Sequence, residues 1–429
     1  MSKGKYGGAA GAADAAVVSG STGDSGMTDA SGASGTSGAF GPSGAPTTVL
    51  HVVPGISAEG IGTFILNMLE HHDPGRTKMV LAVTTDWEQL HESRARELGA
   101  EIWRTAEIGA GLAGWARHFV RLIRLIRRHG GIDAVHSHMD YFNGINCLAA
   151  LLAGVPVRIS HAHRAADSGR VGWLRRLYSL LMRLLIVLCS TERVGCSASA
   201  NEGQHRIGPW RFGAKIVTNG IDMGAFRPVR GEAAPEGIDV RENAVRFVTV
   251  GRMDPSKNPL FLVRVFHEVK KRVPGVRLYW IGTGSLRGEV EALIARLGLE
   301  SSVTLLGVRR DVPAILPWMD WMLLPSRLEG LPFALIEAQA CGVKCFVSDA
   351  IPANANLGLC VTLPLEADEA HWAERICARL ADGGAGLALD PERAARYDIR
   401  QTVRELEALW QARRDGAAGR GVARGELRA

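Results

Sequence analysis

Two glutamates, Glu329 and Glu337, lie eight residues apart and have the residue types and spacing to bind a polar ligand. The apolar run 321–324 predicts a buried strand, and 334–340 is rich in good helix formers. We therefore expect Glu329 in the loop before a helix and Glu337 inside that helix. Both carboxylates then face the carboxyl end of a parallel strand, where α/β sheets bind ligands. The helix N-terminus adds free N–H groups that suit a phosphate.

Two cations, Arg252 and Lys257, follow another predicted strand, 245–250, and lie five residues apart. A guanidinium binds phosphate with two hydrogen bonds, and an ammonium acts as a point charge. The pair is therefore suited to hold a diphosphate, with solvated surface charges as the alternative interpretation.

Four histidines lie at the ends of two predicted strands in the first half of the chain. They are His136 and His138 at the first strand, and His161 and His163 at the second. A single histidine in such a place is usually a structural residue, but four together indicate a site. A further strand at 48–53 is followed by a glycine-rich loop and a helix at 63–70, which would bring backbone N–H groups near an anion.

These motifs resemble the retaining GT-B glycosyltransferases of family 4, and most of all the bacterial enzymes of exopolysaccharide and capsule assembly. The resemblance is carried by Glu-x7-Glu in its Glu-Gly-Leu-Pro context, Gly-Arg…Lys-Asn at 251–258, His-Ser-His and His-Ala-His, and Asn-Gly-Ile-Asp at 219–222. It covers residues from about 47 to about 412. It implies an α/β GT-B fold, in which two Rossmann-like α/β domains face a central cleft.

The resemblance also implies residue roles. Arg252 and Lys257 would hold the leaving diphosphate, Glu337 the ribose hydroxyls, and Glu329 the sugar hydroxyls near the reacting carbon. Further donor-binding residues would be Gly62, Gly330 and Leu331.

The resemblance implies roles for the histidines as well. A histidine after the second strand would approach the donor sugar, and the spacing leaves His161 and His163 both eligible, with a preference for His163. His136 and His138 would line the acceptor side.

Metal and cofactor chemistry is not expected from the sequence. Metal-dependent GT-A enzymes hold their donor phosphates through a cation on an Asp-x-Asp pair, which is absent here. The seven cysteines form no Cys-x-x-Cys pair, and Cys341 and Cys345 have no histidine at zinc-ligand spacing. We expect a UDP- or GDP-linked sugar donor, no cofactor and no metal.

The composition is that of a soluble globular protein, with 46% apolar and 22% charged residues among 429. The formal charge of +6 suits anionic substrates or an anionic membrane surface, and no basic patch interleaved with aromatic residues indicates nucleic-acid binding. No apolar run approaches the ~20 residues that a membrane-spanning helix needs.

The chain divides into six predicted segments. They are a disordered low-complexity segment (1–45), an acceptor-side Rossmann-like domain (46–227), a linker (228–243), a nucleotide-sugar-binding domain (244–390), a helix that crosses back (391–413) and a frayed tail (414–429). The first segment is nearly all Gly, Ala, Ser and Thr, which cannot bury enough apolar surface to become ordered.

Two predicted helices, 115–128 and 173–189, carry apolar and basic residues at helical spacing. They are either core helices with solvated arginines or a surface that rests on anionic lipid. We expect a cytoplasmic protein, with peripheral contact to the inner face of the plasma membrane if the second alternative holds.

The predicted function is metal-independent transfer of a hexose-type sugar, with retention of configuration, from a nucleotide sugar to a lipid-linked or oligosaccharide acceptor in exopolysaccharide or capsule assembly. One alternative is a non-catalytic sugar- or nucleotide-binding subunit of a polysaccharide assembly complex. A phosphorylase-like or epimerase-like enzyme of the same fold is disfavoured, because no lysine has the sequence context of a covalent cofactor site.

Overall fold

The structure is a computed structural model of the chain, and it describes residues 45–57, 60–164, 172–207, 210–240 and 244–411. The predicted disordered segment up to residue 44 and the predicted frayed tail lie outside the described residues. So do residues 241–243 of the predicted linker and the last two residues of the predicted crossing helix.

The first half of the described chain is built on a parallel sheet. Its strands are β1 (Thr47–Val53), β2 (Thr77–Val83), β3 (Glu101–Arg104), β4 (Ala134–Ser137), β5 (Val157–Ala162), β6 (Glu192–Gly195) and β9 (Lys215–Ile216). Between β6 and β9 in the chain, β7 (Arg206–Ile207) and β8 (Trp210–Arg211) form a separate short antiparallel ribbon. The order across the sheet is β3-β2-β1-β4-β5-β6-β9, with parallel pairing throughout. The central strand β1 is buried along nearly its whole length, as expected for a parallel sheet covered by helices on both faces.

Helices cover this first sheet. They are α1 (Gly60–His71), α2 (Glu92–Glu97), α3 (Gly111–His129), α4 (Asn143–Leu152), α5 (Trp173–Cys189) and α6 (Ala198–His205). The helix predicted at 173–189 is confirmed with those bounds, whereas α1 and α3 are longer than the predicted helices at 63–70 and 115–128.

The second half repeats the arrangement. Its strands are β10 (Val245–Val250), β11 (Val276–Ile281), β12 (Val303–Gly307), β13 (Trp321–Leu324), β14 (Lys344–Ser348) and β15 (Cys360–Leu363), in the order β12-β11-β10-β13-β14-β15. Its helices are α7 (Pro259–Arg272), α8 (Arg287–Arg296), α9 (Val312–Ile315), α10 (Phe333–Ala340), α11 (Glu369–Ala381) and α12 (Pro391–Ala395). The predicted α/β class with two parallel sheets is confirmed.

The end of the described chain returns to the first half. Residues 399–411 are helical, and Trp410 is buried in the same apolar cluster as Val49 and Phe64. The helix predicted over 391–413 is therefore wrong as one continuous element. It is interrupted because the backbone around residue 398 pairs with Ile221, which donates to the Tyr397 carbonyl at 2.8 Å.

A glycine permits this crossing. A Cβ atom on Gly220 would lie 2.5 Å from the backbone of Ile399, so only glycine lets the two segments approach so closely. Gly220 belongs to the Asn-Gly-Ile-Asp motif that the resemblance placed at the crossing point between the domains.

The two basic, apolar helices differ in burial. On α3 the apolar residues Leu122 and Ile126 are buried, which makes it a core helix. On α5 only Met182, Ile186 and Cys189 are buried, and large apolar side chains remain exposed on its other faces. Among the described residues, no helix has both the length and the apolar character needed to cross a bilayer.

Candidate active site

Lys257 and Glu329 form an ion pair between two loops at the carboxyl end of the second sheet. The Lys257 Nζ lies 2.5 Å from the Glu329 Oε1, with the side chains 23% and 8% exposed. Lys257 ends a short 3₁₀ turn, Pro255–Lys257, whose backbone N–H groups are capped by the Asp254 carboxylate. The sequence prediction that these two residues belong to one site is consistent with this geometry, because it places a cation and a carboxylate in direct contact.

Backbone contacts hold these loops together. The Arg327 N–H donates to the Ser256 carbonyl at 2.7 Å, which ties the glutamate loop to the lysine loop. The Met253 N–H donates to the Thr283 carbonyl at 3.0 Å, and a Cβ atom on Gly284 would lie 2.5 Å from the Met253 oxygen. The Gly-x-Gly at 282–284 therefore has a packing role: it lets the loops after β10 and β11 lie against each other.

Arg252 lies in the same loop as Lys257 but in a more open position. Its side chain is 56% exposed, and its Nε lies 3.3 Å from the Asp254 Oδ2. Of the two predicted phosphate cations, Lys257 is thus the one held in a partly enclosed position, and Arg252 is the one with room to move toward a ligand.

Glu337 lies on α10 and is 8% exposed. Burial raises the pKa of its carboxyl group to about 7. The neighbouring Leu331 is buried in the apolar cluster that also contains Leu335, so it anchors the start of the helix. As predicted, Glu329 lies in the loop before α10 and Glu337 lies inside this helix.

The loop that carries Glu329 meets the first half of the molecule at His163. A Cβ atom on Gly330 would lie 2.8 Å from the His163 carbonyl oxygen, so the absence of a side chain permits the contact. Gly62 has a comparable packing role within the first half, where a Cβ atom would overlap the Ser57 carbonyl oxygen. Close packing thus accounts for both glycines, and their predicted donor-binding roles stay predictions.

Five histidines form a buried cluster at strands β1, β4 and β5. They are His51, His136, His138, His161 and His163. His163 is 7% exposed and the other four are fully buried. Burial lowers the pKa of every one of these imidazoles, to about 3 for His51 and His163, so all are neutral near pH 7.

Hydrogen bonds join the cluster in two groups. The His138 Nε2 lies 3.0 Å from the His51 Nδ1, and the His138 Nδ1 lies 2.8 Å from the His163 Nε2. The second group is His136 and His161, with 3.1 Å between Nε2 and Nδ1. The first group continues to Asn219, whose side-chain amide lies 3.0 Å from the His163 Nδ1.

The four predicted histidines therefore come together, but not in equivalent positions. His161 packs edge-on against Phe64 and His136 lies beside Trp410, both inside the first domain. His163 is the member that meets the Gly330 loop. His138 lines a cavity on the first half of the molecule.

The cavity has a volume of about 330 Å³ and lies beyond the carboxyl ends of β1 and β2. Its lining includes Ile61, Thr84, Trp87, Glu107, His138 and Asp140. Polar groups, a carboxylate and an indole are the side chains that commonly bind a sugar ring through its hydroxyls and its apolar face.

Sequence reasoning missed two members of the site. His51 lies inside the apolar strand β1, where a polar residue is itself a signal, because burying an imidazole requires partners. Asn219 was assigned only to the crossing point between the domains, and its contact with His163 depends on how the sheet brings distant segments together.

The chain matches two family models and has relatives among known proteins. The model described as "Glycosyl transferases group 1" matches residues 244–382, and the one described as "Glycosyl transferase 4-like domain" matches residues 59–208. The putative glycosyltransferase EpsF of Bacillus subtilis is 32% identical over 369 residues, which cover 83% of this chain and 94% of that protein.

Two further matches are more distant. The UDP-Gal:alpha-D-GlcNAc-diphosphoundecaprenol alpha-1,3-galactosyltransferase of Escherichia coli is 27% identical over 54% of this chain and 62% of that protein. The crystal structure of Anabaena Alr3699/HepE in complex with UDP and glucose has a TM-score of 0.70 at 15% identity, covering 85% of this chain and 100% of that one. This last likeness concerns the fold alone.

Proposed function

This chain belongs to the glycosyl transferase group 1 family, and on that premise we propose that it transfers a sugar from a nucleotide-sugar donor to a lipid-linked saccharide in bacterial exopolysaccharide or capsule assembly. The observation that carries the proposal is the Lys257–Glu329 pair, in a loop that packs against His163. A cation and a carboxylate of the second half thereby lie in a loop that contacts the His163 backbone of the first half.

The donor lies on the second half of the molecule in this proposal. Lys257 and Arg252 neutralise the leaving diphosphate without a metal ion, and Glu337 accepts hydrogen bonds from the ribose hydroxyls. Glu329 holds the Lys257 ammonium in position before the donor arrives, so little reorganisation is needed when charge develops on the leaving oxygen. Catalysis is then mainly electrostatic support of the departing diphosphate, together with positioning of the two substrates.

The sugar and its acceptor occupy the first half. Glu329 binds the transferred sugar, His163 supports the Glu329 loop through the backbone contact at Gly330, and the acceptor enters the cavity lined by His138 and Glu107. The transferred sugar is a hexose, and it keeps its anomeric configuration. UDP is the favoured leaving group, because the E. coli relative is named for a UDP-galactose donor.

A lipid-linked acceptor fits the surface of the first half. The E. coli relative is named for an acceptor carried on diphosphoundecaprenol. On α5 the exposed large apolar residues fall on one helical face: Trp173, Leu174, Leu177, Leu180, Leu181, Leu184 and Leu188. Arg176 borders this face and complements an anionic lipid surface, so α5 rests on the membrane from which the acceptor is taken.

The proposal is tested by incubating the purified chain with UDP-, GDP- and ADP-sugars and measuring release of the nucleoside diphosphate. We expect slow hydrolysis of one donor class and its loss in Lys257→Ala. A non-catalytic binding subunit would instead bind a nucleotide sugar and release no diphosphate in either protein.

A further inference from the structure

Three imidazoles of the buried cluster converge on one point. The ring centroids of His51, His136 and His138 are separated by 5.2 Å, 5.3 Å and 4.2 Å. One nitrogen from each ring lies within 4.8 Å of a nitrogen from each of the other two. All three side chains are fully buried.

Two nitrogens of this triad lack a hydrogen-bond partner among the described residues. They are the His51 Nε2 and the His136 Nδ1. A buried polar atom without a partner costs about 1–3 kcal/mol, so most such atoms in folded proteins are satisfied by protein, water or an ion. Of these two nitrogens, the His136 Nδ1 is the one to which a bound ion gives a partner in the arrangement below.

We propose that His51, His136 and His138 bind one divalent late first-row transition-metal ion, for which Zn²⁺ is the probe. A donor set made only of imidazoles suits zinc, copper or nickel, whereas magnesium and calcium prefer oxygen ligands. No metal is expected from the sequence because an Asp-x-Asp pair is absent and the cysteines lack zinc-ligand spacing, and His51 is far from the other histidines along the chain. This site is separate from the donor diphosphate, and the inference does not depend on the proposed transfer reaction.

The spacing of two of the ligand atoms fits such an ion after a small adjustment. The His51 Nδ1 and the His138 Nε2 lie 3.0 Å apart. In a tetrahedral site with Zn–N bonds of about 2.0–2.1 Å, two ligand nitrogens are separated by about 3.3 Å. The ion therefore replaces the hydrogen bond between these two rings, and the His136 Nδ1 supplies the third ligand.

A second layer of histidines supports the ligands. The His136 Nε2 lies 3.1 Å from the His161 Nδ1, and the His138 Nδ1 lies 2.8 Å from the His163 Nε2. A metal-bound imidazole normally donates its other N–H to a neighbour, which fixes its tautomer and orientation. The two histidines left out of the triad are thus the outer partners of two of its members.

The position of His138 provides an access route for the ion and links ion binding to His163. His138 lines the 330 Å³ cavity, so an ion can reach the triad from that side. Because His138 also contacts His163, binding of the ion fixes the orientation of the His163 imidazole, in a residue whose backbone carbonyl meets the Gly330 loop.

The test uses the full chain, purified without a polyhistidine tag and stripped with a chelator. Zn²⁺ or Mg²⁺ is added, excess ion is removed by desalting, and retained metal is measured by elemental analysis alongside thermal unfolding. We expect about one Zn²⁺ per chain, a higher Tm with Zn²⁺ and no retained Mg²⁺. Folded wild-type protein that retains no zinc would overturn the proposal.

Single variants identify the ligands. Loss of an outer partner weakens metal binding by about 10–100-fold, and we expect an effect of this size on zinc affinity in His161→Asn. We expect a larger loss of zinc affinity in the ligand variants His51→Asn, His136→Asn and His138→Asn. The matched control is His118→Asn, because His118 is equally buried but is hydrogen-bonded to Thr105 and Asn146 outside the cluster. Zinc binding unchanged in His51→Asn, or lost in His118→Asn, contradicts the assignment.

A measurement on the wild type covers the case in which a ligand variant does not fold. X-ray absorption at the zinc edge distinguishes imidazole nitrogen from sulfur or oxygen ligands. We expect the scattering of about three imidazoles. A spectrum dominated by oxygen or sulfur would overturn the proposal.

Discussion

The Nζ of Lys257 lies 2.5 Å from the Oε1 of Glu329, although the two residues are 72 positions apart in the chain. Both belong to loops at the carboxyl end of one parallel sheet, and a backbone hydrogen bond from Arg327 to Ser256 fixes the distance between those loops. The ammonium is thus in place before any ligand binds. An ammonium group that is held in position in a partly closed cleft stabilises developing negative charge more effectively than one that must first reorganise.

Lys257→Ala removes that cation. We expect kcat to fall by about 10²–10³, or about 2.7–4 kcal/mol, the size of effect found when one preorganised electrostatic donor is lost. Because the side chain lies in the cleft and not in the core, Tm should change little. Steady-state kinetics and thermal unfolding measure the two effects.

Lys271→Ala is the matched control for this variant. Lys271 forms an ion pair with Glu268 on the surface of α7, where such pairs contribute little. Turnover close to wild type in Lys257→Ala, with donor at saturation, would exclude the assigned role.

Binding of free UDP should depend on the ionisation of Glu337. Burial raises the pKa of this carboxyl to about 7, and ribose hydroxyls donate best to the ionised form. Affinity should therefore rise between about pH 6 and pH 8, by at most tenfold per pH unit for one proton. Calorimetry in buffers of different ionisation enthalpy should also detect proton release on binding.

The stability of the ligand-free protein should respond to pH with the opposite sign. The native pKa lies above the ordinary value of 4.5, so the native state holds a proton that the unfolded state has released. This contribution to stability is complete below about pH 4.5 and is lost as pH rises through about 7.

The variant Glu337→Gln tests the role of this carboxyl in UDP binding. It should bind UDP more weakly, and its affinity should not rise between about pH 6 and pH 8. The same pH dependence in the variant and the wild type would show that another group is responsible.

Gly330→Ala tests the contact across the cleft. The added Cβ would lie 2.8 Å from the His163 carbonyl oxygen, so the loop carrying Glu329 must move. A displacement of about 1 Å at a catalytic group can cost about a hundredfold in rate, so kcat should fall markedly with little change in Tm. Gly288→Ala is the control, because nothing lies within 4 Å of a Cβ added at that position of α8. If both variants had wild-type kcat, the contact would have no part in catalysis.

The apolar face of α5 should bind anionic membranes. Changing Leu177 and Leu181, which are 47% and 48% exposed, to Ser should reduce co-sedimentation with anionic vesicles and leave Tm nearly unchanged. High salt should weaken binding of the wild type, because each cation near the surface contributes about 1 kcal/mol at most. Arg124→Ser on α3 is the control, since the apolar stripe of that helix is already buried in the core. Equal recovery on neutral and anionic vesicles would contradict the role of charge.

The sequence predicted the sheets and the main site because those signals are local. The strand at 321–324 is a continuous apolar run and that at 245–250 is rich in Val and Phe, and Lys257 and Glu329 each follow one of them. Since parallel strands bring their carboxyl ends to one edge, both residues could be assigned to one site without knowledge of the register.

The remaining features depend on contacts between distant segments. His51 is a polar residue inside an apolar strand, but its partners become known only when β1 pairs with β4 and places it opposite His136. The break before 399 arises from the pairing with Ile221, which no local pattern records. The difference between α3 and α5 also could not be predicted, because both helices have apolar residues at helical spacing and only packing decides which stripe is covered.

The central claim is most directly tested by a transfer assay with a radiolabelled UDP-sugar and a saccharide carried on a lipid diphosphate. The readout is the label recovered in the lipid fraction, together with the anomeric configuration of the new linkage. The account predicts label transfer with retention by the wild type and its loss in Lys257→Ala. No transfer from UDP-, GDP- or ADP-sugars by folded wild-type protein, or transfer undiminished in the variant, would contradict it.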